Sequence, residues 1–539
     1  MVCSSSMDPV SLSVFSSRIE AVCDEMGAVL RRAAFSPNIK DRLDFSCAVF
    51  DPHGGLCAQA AHIPVHLGSM AYAMAGLVEG VDWARGDMLI VNDPFLGGTH
   101  LPDVTLIAPV FLGDTCIGFV VNRAHHADIG AHSPGSMPLS HRLDEEGLVI
   151  PPSLLMRRGT LDMDFLRSIT GVTSDSEHAA GDFAAQISAN QTGVTRLLSM
   201  AADMGAAEYL AGLAALNDYA GRLAGNALSS IPDGVYRFRD VLDDDGMGHE
   251  DIPIEVCITA RKGMISVDFD GTAAQVRGNV NCPIPVAAAA VYYVFRCLMP
   301  SHTPACAGSF RPISISAPAG CLLNARRPAA VAAGNVETSS RVVDVVLGAL
   351  AGALPDRIPA ASQGTMNNLA MGARQAGHSW DYYETLAGGM GGGPKGAGLS
   401  AVQSHMTNTL NTPIEVLEME FPLRIHRYQV RNASGGEGRN AGGNGLVRDF
   451  EFLEPAMVTL LSERRRHAPW GLAGGQPGRP GRNLLDGEPL PGKISLRVQP
   501  GQRLVLETPG GGGWGTREGA GRDDGNTVRG ISGNGDTLR

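Results

Sequence analysis

The sequence predicts a mixed α+β fold, with an N-terminal α/β region that carries a candidate metal site, a central α/β layer and a C-terminal all-β region. Hydrophobic periodicity predicts both kinds of element. Apolar residues recur at helical spacing over residues 8–34 and 182–228, whereas residues 235–270 alternate as strands. Beyond residue 446 the alternating segments are short and separated by Gly and Pro turns, which favours a β-rich end to the chain.

These patterns divide the 539 residues into an N-terminal metal-site domain (1–230), a central α/β domain (231–400), a C-terminal β-rich domain (401–515) and a disordered tail (516–539). A chain of this length can bury several substantial cores. The tail is rich in Gly and polar residues, so it lacks the apolar side chains that a packed core requires.

The first helix begins at Asp8, because Asp is a good N-cap and the Pro that follows suits the first helical position. A charged turn over residues 36–46 then leads into a hairpin. Asp44 in this turn is a candidate metal ligand or general base, and a turn-forming Asp is the alternative. His62 and His66 lie at the start of the next helix. We favour helix capping for both, with proximity to a metal as the alternative.

The organising element of the N-terminal region is a hairpin formed by residues 104–111 and 115–121, which are β-branched and apolar runs joined by Leu-Gly-Asp. Antiparallel pairing about this turn places His125 opposite Pro102 and beside Asp103. Directly opposed residues lie about 5 Å apart in a sheet. The two side chains are therefore expected to meet.

His100, Asp103 and His125 form the predicted metal site. Two imidazoles and a carboxylate can converge on one divalent ion, with His100 and Asp103 entering from the loop and His125 from the returning strand. The alternative is a set of separate hydrogen-bonded polar residues at a sheet end. Eight of the 15 histidines fall between residues 53 and 141, and this clustering favours the metal interpretation.

Other polar residues are candidates for supporting roles. Asp128, like Asp44, is a candidate to position an attacking water, and His126 is a further candidate catalytic residue. Farther along the chain, His405 and Asn408 belong to a polar segment with many donors and acceptors. We assign these two residues to substrate binding.

Composition and charge disfavour several classes of function. The net charge of −12 disfavours nucleic acid and anionic membranes as partners. The ten Cys include no CxxC pair, which indicates reduced thiols instead of a disulfide framework or a zinc ribbon. No stretch approaches the roughly 18 apolar residues of a membrane helix, and no secretory signal pattern opens the sequence. We therefore expect a cytoplasmic protein.

No motif of the sequence is suited to binding ATP phosphates. A formal GxGxxG match at Gly391, Gly393 and Gly396 contains Pro394 and precedes no dinucleotide-type helix. Proline lacks the backbone N–H that a phosphate site requires. We therefore expect any nucleotide chemistry to lie on another chain.

Several long motifs together resemble the hydantoinase B/oxoprolinase family, which includes the B subunits of ATP-dependent N-methylhydantoinase and 5-oxoprolinase and a subunit of acetone carboxylase. The motifs occupy residues 36–46, 62–70, 92–103, 122–130, 334–339, 406–418 and 509–515. In this resemblance the family's metal ligands fall on His100, Asp103 and His125, and Asp44 looks like a further site residue. Residues 395–400 lack the acidic residue that many relatives carry there, which leaves substrate contacts in that segment open.

The resemblance implies a metal-dependent B subunit of an ATP-dependent cyclic amidohydrolase, which opens 5-oxoproline, as in glutathione metabolism, or a hydantoin. An A-type ATP-binding subunit of actin-like kinase fold would phosphorylate the lactam or carbonyl oxygen. This chain would complete the hydrolysis with one divalent ion (Mn, Zn or Fe), and the expected assembly is a hetero-oligomer. The alternatives are a subunit of an ATP-dependent ketone carboxylase and a non-catalytic scaffold subunit.

Overall fold

The N-terminal part of the computed structural model is a seven-stranded sheet with helices around it. The structure describes residues 7–60, 62–375 and 378–517, and it confirms the mixed α+β class. The N-terminal helices are α1 (Pro9–Ala33), α2 (Pro37–Lys40), α3 (Pro64–Val78), α4 (Met163–Thr170), α5 (Ser176–Met204) and α6 (Ala206–Leu228). The strands are β1 (Phe45–Phe50), β2 (Leu56–Gln59), β3 (Met88–Val91), β4 (Asp103–Leu112), β5 (Thr115–His125), β6 (Ser153–Arg157) and β7 (Thr160–Leu161). They pair in the order β2-β1-β5-β4-β3-β6-β7.

β4 and β5 form the predicted hairpin, with a register one residue from the expected one. Asp103 pairs directly with His125, where the sequence predicted Pro102. A bulge between Val110 and Phe111 shifts the register near the turn, and a local pattern does not reveal such a bulge. Because directly paired residues point to the same side of a sheet, this register brings the side chains of Asp103 and His125 together.

α5 packs across this hairpin through buried amide side chains. Nδ2 of Asn122 donates to the backbone oxygen of Gln186 and to Oδ1 of Asn190, both at 2.8 Å. In return, Nε2 of Gln186 donates to the Val104 carbonyl at 3.0 Å, and Nδ2 of Asn190 donates to the Leu106 carbonyl at 3.1 Å. These bonds fix the position of α5 along β4 and β5.

The central part is a four-stranded sheet packed against helices. Its strands are β8 (Gly234–Asp244), β9 (Glu250–Arg261), β10 (Met264–Asp268) and β11 (Ile313–Ser316), and its helices are α7 (Ile284–Leu298), α8 (Ala307–Phe310) and α9 (Ser339–Ala351). The strand order is β11-β10-β9-β8, with β10 and β11 parallel. Across the three described segments of the chain, no helix combines the length and apolar character needed to cross a bilayer.

The C-terminal part consists of two further sheets and one short helix. The strands are β12 (Asn368–Gln375), β13 (His378–Thr385), β14 (Leu423–Val430), β15 (Leu446–Phe452), β16 (Ala456–Leu461), β17 (Arg482–Leu485), β18 (Glu488–Leu490), β19 (Lys493–Val498) and β20 (Arg503–Glu507), and the helix is α10 (Ile414–Glu420). The sheet orders are β13-β12-β16-β19 and β14-β15-β20-β17-β18. The first sheet spans the boundary predicted at residue 400.

Two sequence predictions concern the end of the chain. α10 lies within the region predicted to be all β, because its Glu, Leu and Met residues favour helix over a stretch too short to show a helical period. Most of the predicted tail, residues 518–539, lies outside the described residues.

Candidate metal centre

The candidate metal centre forms where the loop before β4 meets the end of β5. Gly97 has a φ of 109°, a left-handed conformation that glycine adopts freely. A Cβ on Gly98 would lie 2.3 Å from a neighbouring carbonyl oxygen, so the backbone passes here because the residue is glycine. The resulting turn brings His100 close to Asp103, the first residue of β4, and to its partner His125.

The structure brings the three predicted ligands together. Nε2 of His100 and Nδ1 of His125 each lie 3.1 Å from Oδ1 of Asp103. One candidate ligand atom from each residue lies within 4.8 Å of the others, and all three side chains are buried. This combination of nitrogen and oxygen donors is typical of sites for divalent transition metals.

The hydrogen bonds of the cluster fit a bound cation. Nδ1 of His100 lies 3.2 Å from the Ala332 carbonyl oxygen, which can only accept, so Nδ1 carries a proton. The other ring nitrogen, Nε2, faces the Asp103 carboxylate, and two acceptors hold this distance only with a proton or a metal ion between them. Nε2 of His125 is also buried, and it has no hydrogen-bond partner among the described residues.

Electrostatics at the centre favour positive charge. Burial opposes ionisation of Asp103, but His100 and His66 outweigh burial and hold the pKa of Asp103 well below its ordinary value. Burial also opposes protonation of His100, yet the neighbouring Asp103 carboxylate raises the pKa of His100 overall. Burial lowers the pKa of His125, which favours the neutral imidazole that can act as a ligand.

The second oxygen of Asp103 is fixed by residues from three segments. Oγ1 of Thr99 donates to Oδ2 at 2.6 Å, and Nδ2 of Asn335 donates to the same oxygen at 3.3 Å. Nε2 of His66 lies 3.2 Å from it. Asn335 belongs to a π-helical turn, Gly334–Thr338, so the central part of the chain helps to orient a ligand in the N-terminal part.

The position of His66 corrects the interpretation favoured from the sequence. α3 has no side-chain cap, so neither His62 nor His66 caps it. Nδ1 of His62 accepts from the N–H of Cys47 at 3.1 Å, whereas the His66 ring lies beside Asp103 with its Nε2 3.9 Å from Oδ1 of Asp44. Position along a helix does not reveal which way a ring faces, and only tertiary packing settles it.

Asp44 borders the centre immediately before β1. Its backbone carbonyl accepts from the N–H of His125 at 3.0 Å, and its Oδ2 lies 3.7 Å from Nη2 of Arg42. The sequence left three roles open for Asp44: ligand, general base and turn-forming residue. The first two are compatible with this position and stay predictions.

Asp128 and His126 are held by contacts away from the three ligands. The Asp128 carboxylate accepts from the N–H groups of Gly130 and Ser174, each at 2.7 Å, and pairs with Arg374 at 3.1 Å. Nε2 of His126 lies 2.9 Å from Oε1 of Gln186 on α5. Both residues line a cavity of about 590 Å³ between α2, α5 and β13. Their catalytic roles stay predictions.

The two predicted substrate-binding residues contact different parts of the chain. Nε2 of His405 lies 3.1 Å from Oδ1 of Asp344, which also pairs with Arg464. Asn408 is exposed, and its Nδ2 donates to the backbone oxygen of His62 at 3.2 Å, just before α3. Substrate binding by these residues stays a prediction.

Tyr383 on β13 is a site residue that sequence reasoning missed. Its ring stacks on His125 with centroids 4.8 Å apart and planes 13° apart. The Tyr383 hydroxyl donates to Oδ1 of Asn368 at 2.7 Å, and Nδ2 of Asn368 donates to Oε1 of Glu337 at 2.7 Å. Because these strands and turns are distant in sequence, no local pattern indicated that they meet the metal centre.

Comparisons with known proteins extend over nearly the whole chain. The model of the family described as hydantoinase B/oxoprolinase matches residues 8–517. The 5-oxoprolinase 1 of Arabidopsis thaliana is 39% identical over 94% of this chain, and the chain spans 42% of that relative's length.

Two solved structures share the fold. An ATP-dependent caprolactamase from Pseudomonas jessenii superposes with a TM-score of 0.88 and 28% identity, covering 95% of this chain and 92% of the other. An acetone carboxylase structure superposes with a TM-score of 0.84 over 95% of this chain and 76% of the other, and its 18% identity makes this a likeness of fold alone. Because the family match includes the whole candidate centre, this chain belongs to the hydantoinase B/oxoprolinase family.

Proposed function

We propose that this chain is the metal-dependent subunit of an ATP-dependent enzyme that opens a cyclic amide such as 5-oxoproline or a hydantoin. The observation that carries the proposal is the buried cluster of His100, Asp103 and His125, in which a ring nitrogen of each histidine lies 3.1 Å from the same carboxylate oxygen. The similarity to a 5-oxoprolinase and to an ATP-dependent caprolactamase supports cyclic amides as the substrate class.

The residues of the cluster would hold one divalent ion (Mn, Zn or Fe), which when bound supplies Lewis-acid polarisation of a carbonyl oxygen and a lowered pKa of water. Thr99 and Asn335 orient the Asp103 carboxylate through its other oxygen. The hydrogen bond to Ala332 fixes the ring orientation of His100. Asp103 and His100 are thus held in place before substrate arrives.

Asp44 is the stronger candidate to accept a proton from the attacking water. Its carboxylate lies beside His66 and Arg42 at 3.9 and 3.7 Å, distances that leave its oxygens available. The Asp128 carboxylate, in contrast, is engaged by two backbone N–H groups and by Arg374. Asp128 and His126 are better suited to shaping the neighbouring cavity.

We assign ATP use to a partner of the A type. Gly391 and Gly392 pack so closely on neighbouring backbone that an added Cβ would lie 1.9 and 2.5 Å from carbonyl oxygens. Close packing therefore explains Gly391 of the GxGxxG match without a phosphate ligand, whereas a Cβ on Gly393 or Gly396 would meet no close contact. The assignment to a partner rests on Pro394, which lacks the backbone N–H that a phosphate site requires. The activated amide would then be hydrolysed at the metal centre of this chain.

Reconstitution with an A-type subunit tests this function. We expect ring opening of 5-oxoproline only when both subunits, ATP and the divalent ion are present, measured as ring-opened product and ADP. Asp103→Asn should assemble but lower the rate by at least roughly 100-fold, because changing only a hydrogen-bond partner of a metal ligand already costs about 10- to 100-fold. Asp114→Asn, in the exposed β4–β5 turn, is the matched control.

The outcome also separates the alternatives. Wild-type turnover by the Asp103→Asn complex would identify a scaffold subunit. Consumption of a ketone that requires ATP and bicarbonate, without ring opening, would identify a carboxylase.

A further inference from the structure

The guanidinium of Arg42 is wholly buried beside the candidate metal centre, and two of its three nitrogens lack a hydrogen-bond partner among the described residues. Its Nη2 lies 3.3 Å from Oγ1 of Thr385 and 3.7 Å from Oδ2 of Asp44. Its Nε and Nη1 are buried and have no hydrogen-bond partner within the described part of the chain. Buried polar groups in folded proteins are normally paired, so these N–H groups point to something that binds here.

Arg123 provides the contrast within the same region. This guanidinium is equally buried, but Nε donates to Thr105, Nη1 to Ser69 and Nη2 to the Gly97 carbonyl, at 2.8, 2.7 and 3.0 Å. Arg123 is therefore a satisfied structural residue. Arg42 differs in that the fold holds it in place without using all of its donors.

The position of Arg42 connects it to the site. Its Cζ lies 4.7 Å from the centre of the Tyr383 ring, and the same ring stacks on His125 at 4.8 Å. Arg42 also lies in the turn that precedes Asp44. The guanidinium is thus part of the surroundings of the candidate ligands.

The same segment leaves further donors free. Oγ of Ser36 and Nδ2 of Asn38 are buried without a partner among the residues that the structure describes. Ser36 also lines the cavity of about 590 Å³, whereas Arg42 does not line it. Unpaired N–H and O–H donors in the same segment as a buried cation favour an anion as the ligand.

We infer that Arg42 recognises an anionic oxygen group of the substrate, either a carboxylate on the ring or the phosphoryl group of the activated amide. The inference rests on the proposed function for the identity of the substrate. With a divalent ion bound, the positive charges of the ion and Arg42 exceed the negative charges of Asp44 and Asp103. The site would then attract an anion although the whole chain is acidic.

Equilibrium binding to the metal-loaded complex, measured by calorimetry without ATP, tests this role. The probes are 5-oxoproline, 2-pyrrolidone, which is the same ring without the carboxylate, and inorganic phosphate. Wild-type protein should bind 5-oxoproline at least about tenfold tighter than 2-pyrrolidone, because a charge-assisted hydrogen bond has this magnitude. Arg42→Gln should lose that preference if the group is a carboxylate, or lose phosphate binding if it is a phosphoryl group.

Arg448→Gln is the matched control. Arg448 is also wholly buried with unpaired nitrogens, but it lies against Tyr428 and Glu384. Because Tyr383 and Glu384 are consecutive on β13, they face opposite sides of the sheet. Arg448→Gln should therefore keep the wild-type binding pattern.

The result that overturns the inference is an Arg42→Gln protein that binds 5-oxoproline and phosphate as the wild type does, or a wild type that binds neither anion in preference to 2-pyrrolidone. Arg42→Lys serves if the Gln variant does not fold, and it should reduce the same preference. Because these binding measurements need no turnover, they can be interpreted even if the complex does not open the ring.

Discussion

Asp103 is the residue on which the candidate centre depends. Its Oδ1 faces His100 and His125, and its Oδ2 accepts hydrogen bonds from Thr99 and Asn335. An ionised carboxylate buried to this extent is costly unless it is paired with positive charge or hydrogen-bonded. The fold supplies the hydrogen bonds, and a divalent ion would supply the remaining charge.

Glu337, at the far end of the Tyr383–Asn368 contact, gives a pH-dependent prediction. Burial raises its pKa from 4.5 to about 7. Because the folded pKa is above the unfolded value, its contribution to stability is complete below about pH 4.5 and is lost as pH rises through about 7. Glu337→Gln removes this titration. The free energy of unfolding of the wild type should fall, relative to the variant, by on the order of 3 kcal/mol from about pH 4.5 to about pH 8.

Urea unfolding at both pH values measures this difference, and exposed Glu488→Gln is the control. Parallel pH profiles for wild type and Glu337→Gln would show that the carboxyl group titrates at its ordinary pKa.

The hairpin of β4 and β5 is the element that carries two of the three candidate ligands. Two β-branched and apolar runs predicted both strands, and the turn composition predicted the register within one residue. The remaining error came from the bulge between Val110 and Phe111, because a bulge depends on the strand's neighbours and leaves little trace in its own pattern. The sequence also did not reveal that the face of α3 bearing His66 points toward Asp103, because tertiary packing sets that orientation.

Helix α5 holds this hairpin through Gln186. Its Nε2 donates to the Val104 carbonyl and to Asn122, and its Oε1 lies 2.9 Å from Nε2 of His126. Gln186→Ala would remove a buried hydrogen-bond partner from each of these three groups. We expect the free energy of unfolding to fall by about 3 kcal/mol, since each such group costs roughly 1–3 kcal/mol and partial relaxation offsets some of the loss.

Chemical denaturation measures the effect, and Gln191→Ala on the exposed side of the same helix is the matched control. A loss for Gln186→Ala no larger than that for Gln191→Ala would mean that the amide contacts do not hold the hairpin.

Across the whole molecule, distant segments complete a site that the sequence locates only in part. The fold class and the convergence of His100, Asp103 and His125 follow from local pattern and register. Asn335 and Tyr383 do not, because they arrive from a turn and a strand more than 200 residues farther along the chain. Tertiary packing of the central and C-terminal parts brings them to the centre.

Buried ion pairs join the central and C-terminal parts of the chain. Nη2 of Arg464 lies 2.9 Å from Asp240 on β8 and 2.8 Å from Asp344 on α9, and Nζ of Lys493 lies 2.6 Å from Glu463. Buried ion pairs are costly to break one partner at a time, so this network ties the C-terminal sheets to the central sheet. His405 belongs to the same network through Asp344.

The metal content of the purified chain tests the proposed metal dependence most directly. Elemental analysis after dialysis should find about one divalent ion per chain in the wild type and in the exposed-histidine control His53→Ala. His100→Ala, Asp103→Ala and His125→Ala should each lose most of this ion, because each removes one of three converging ligands. Full metal content in all three variants would contradict the assignment of this cluster as the metal centre.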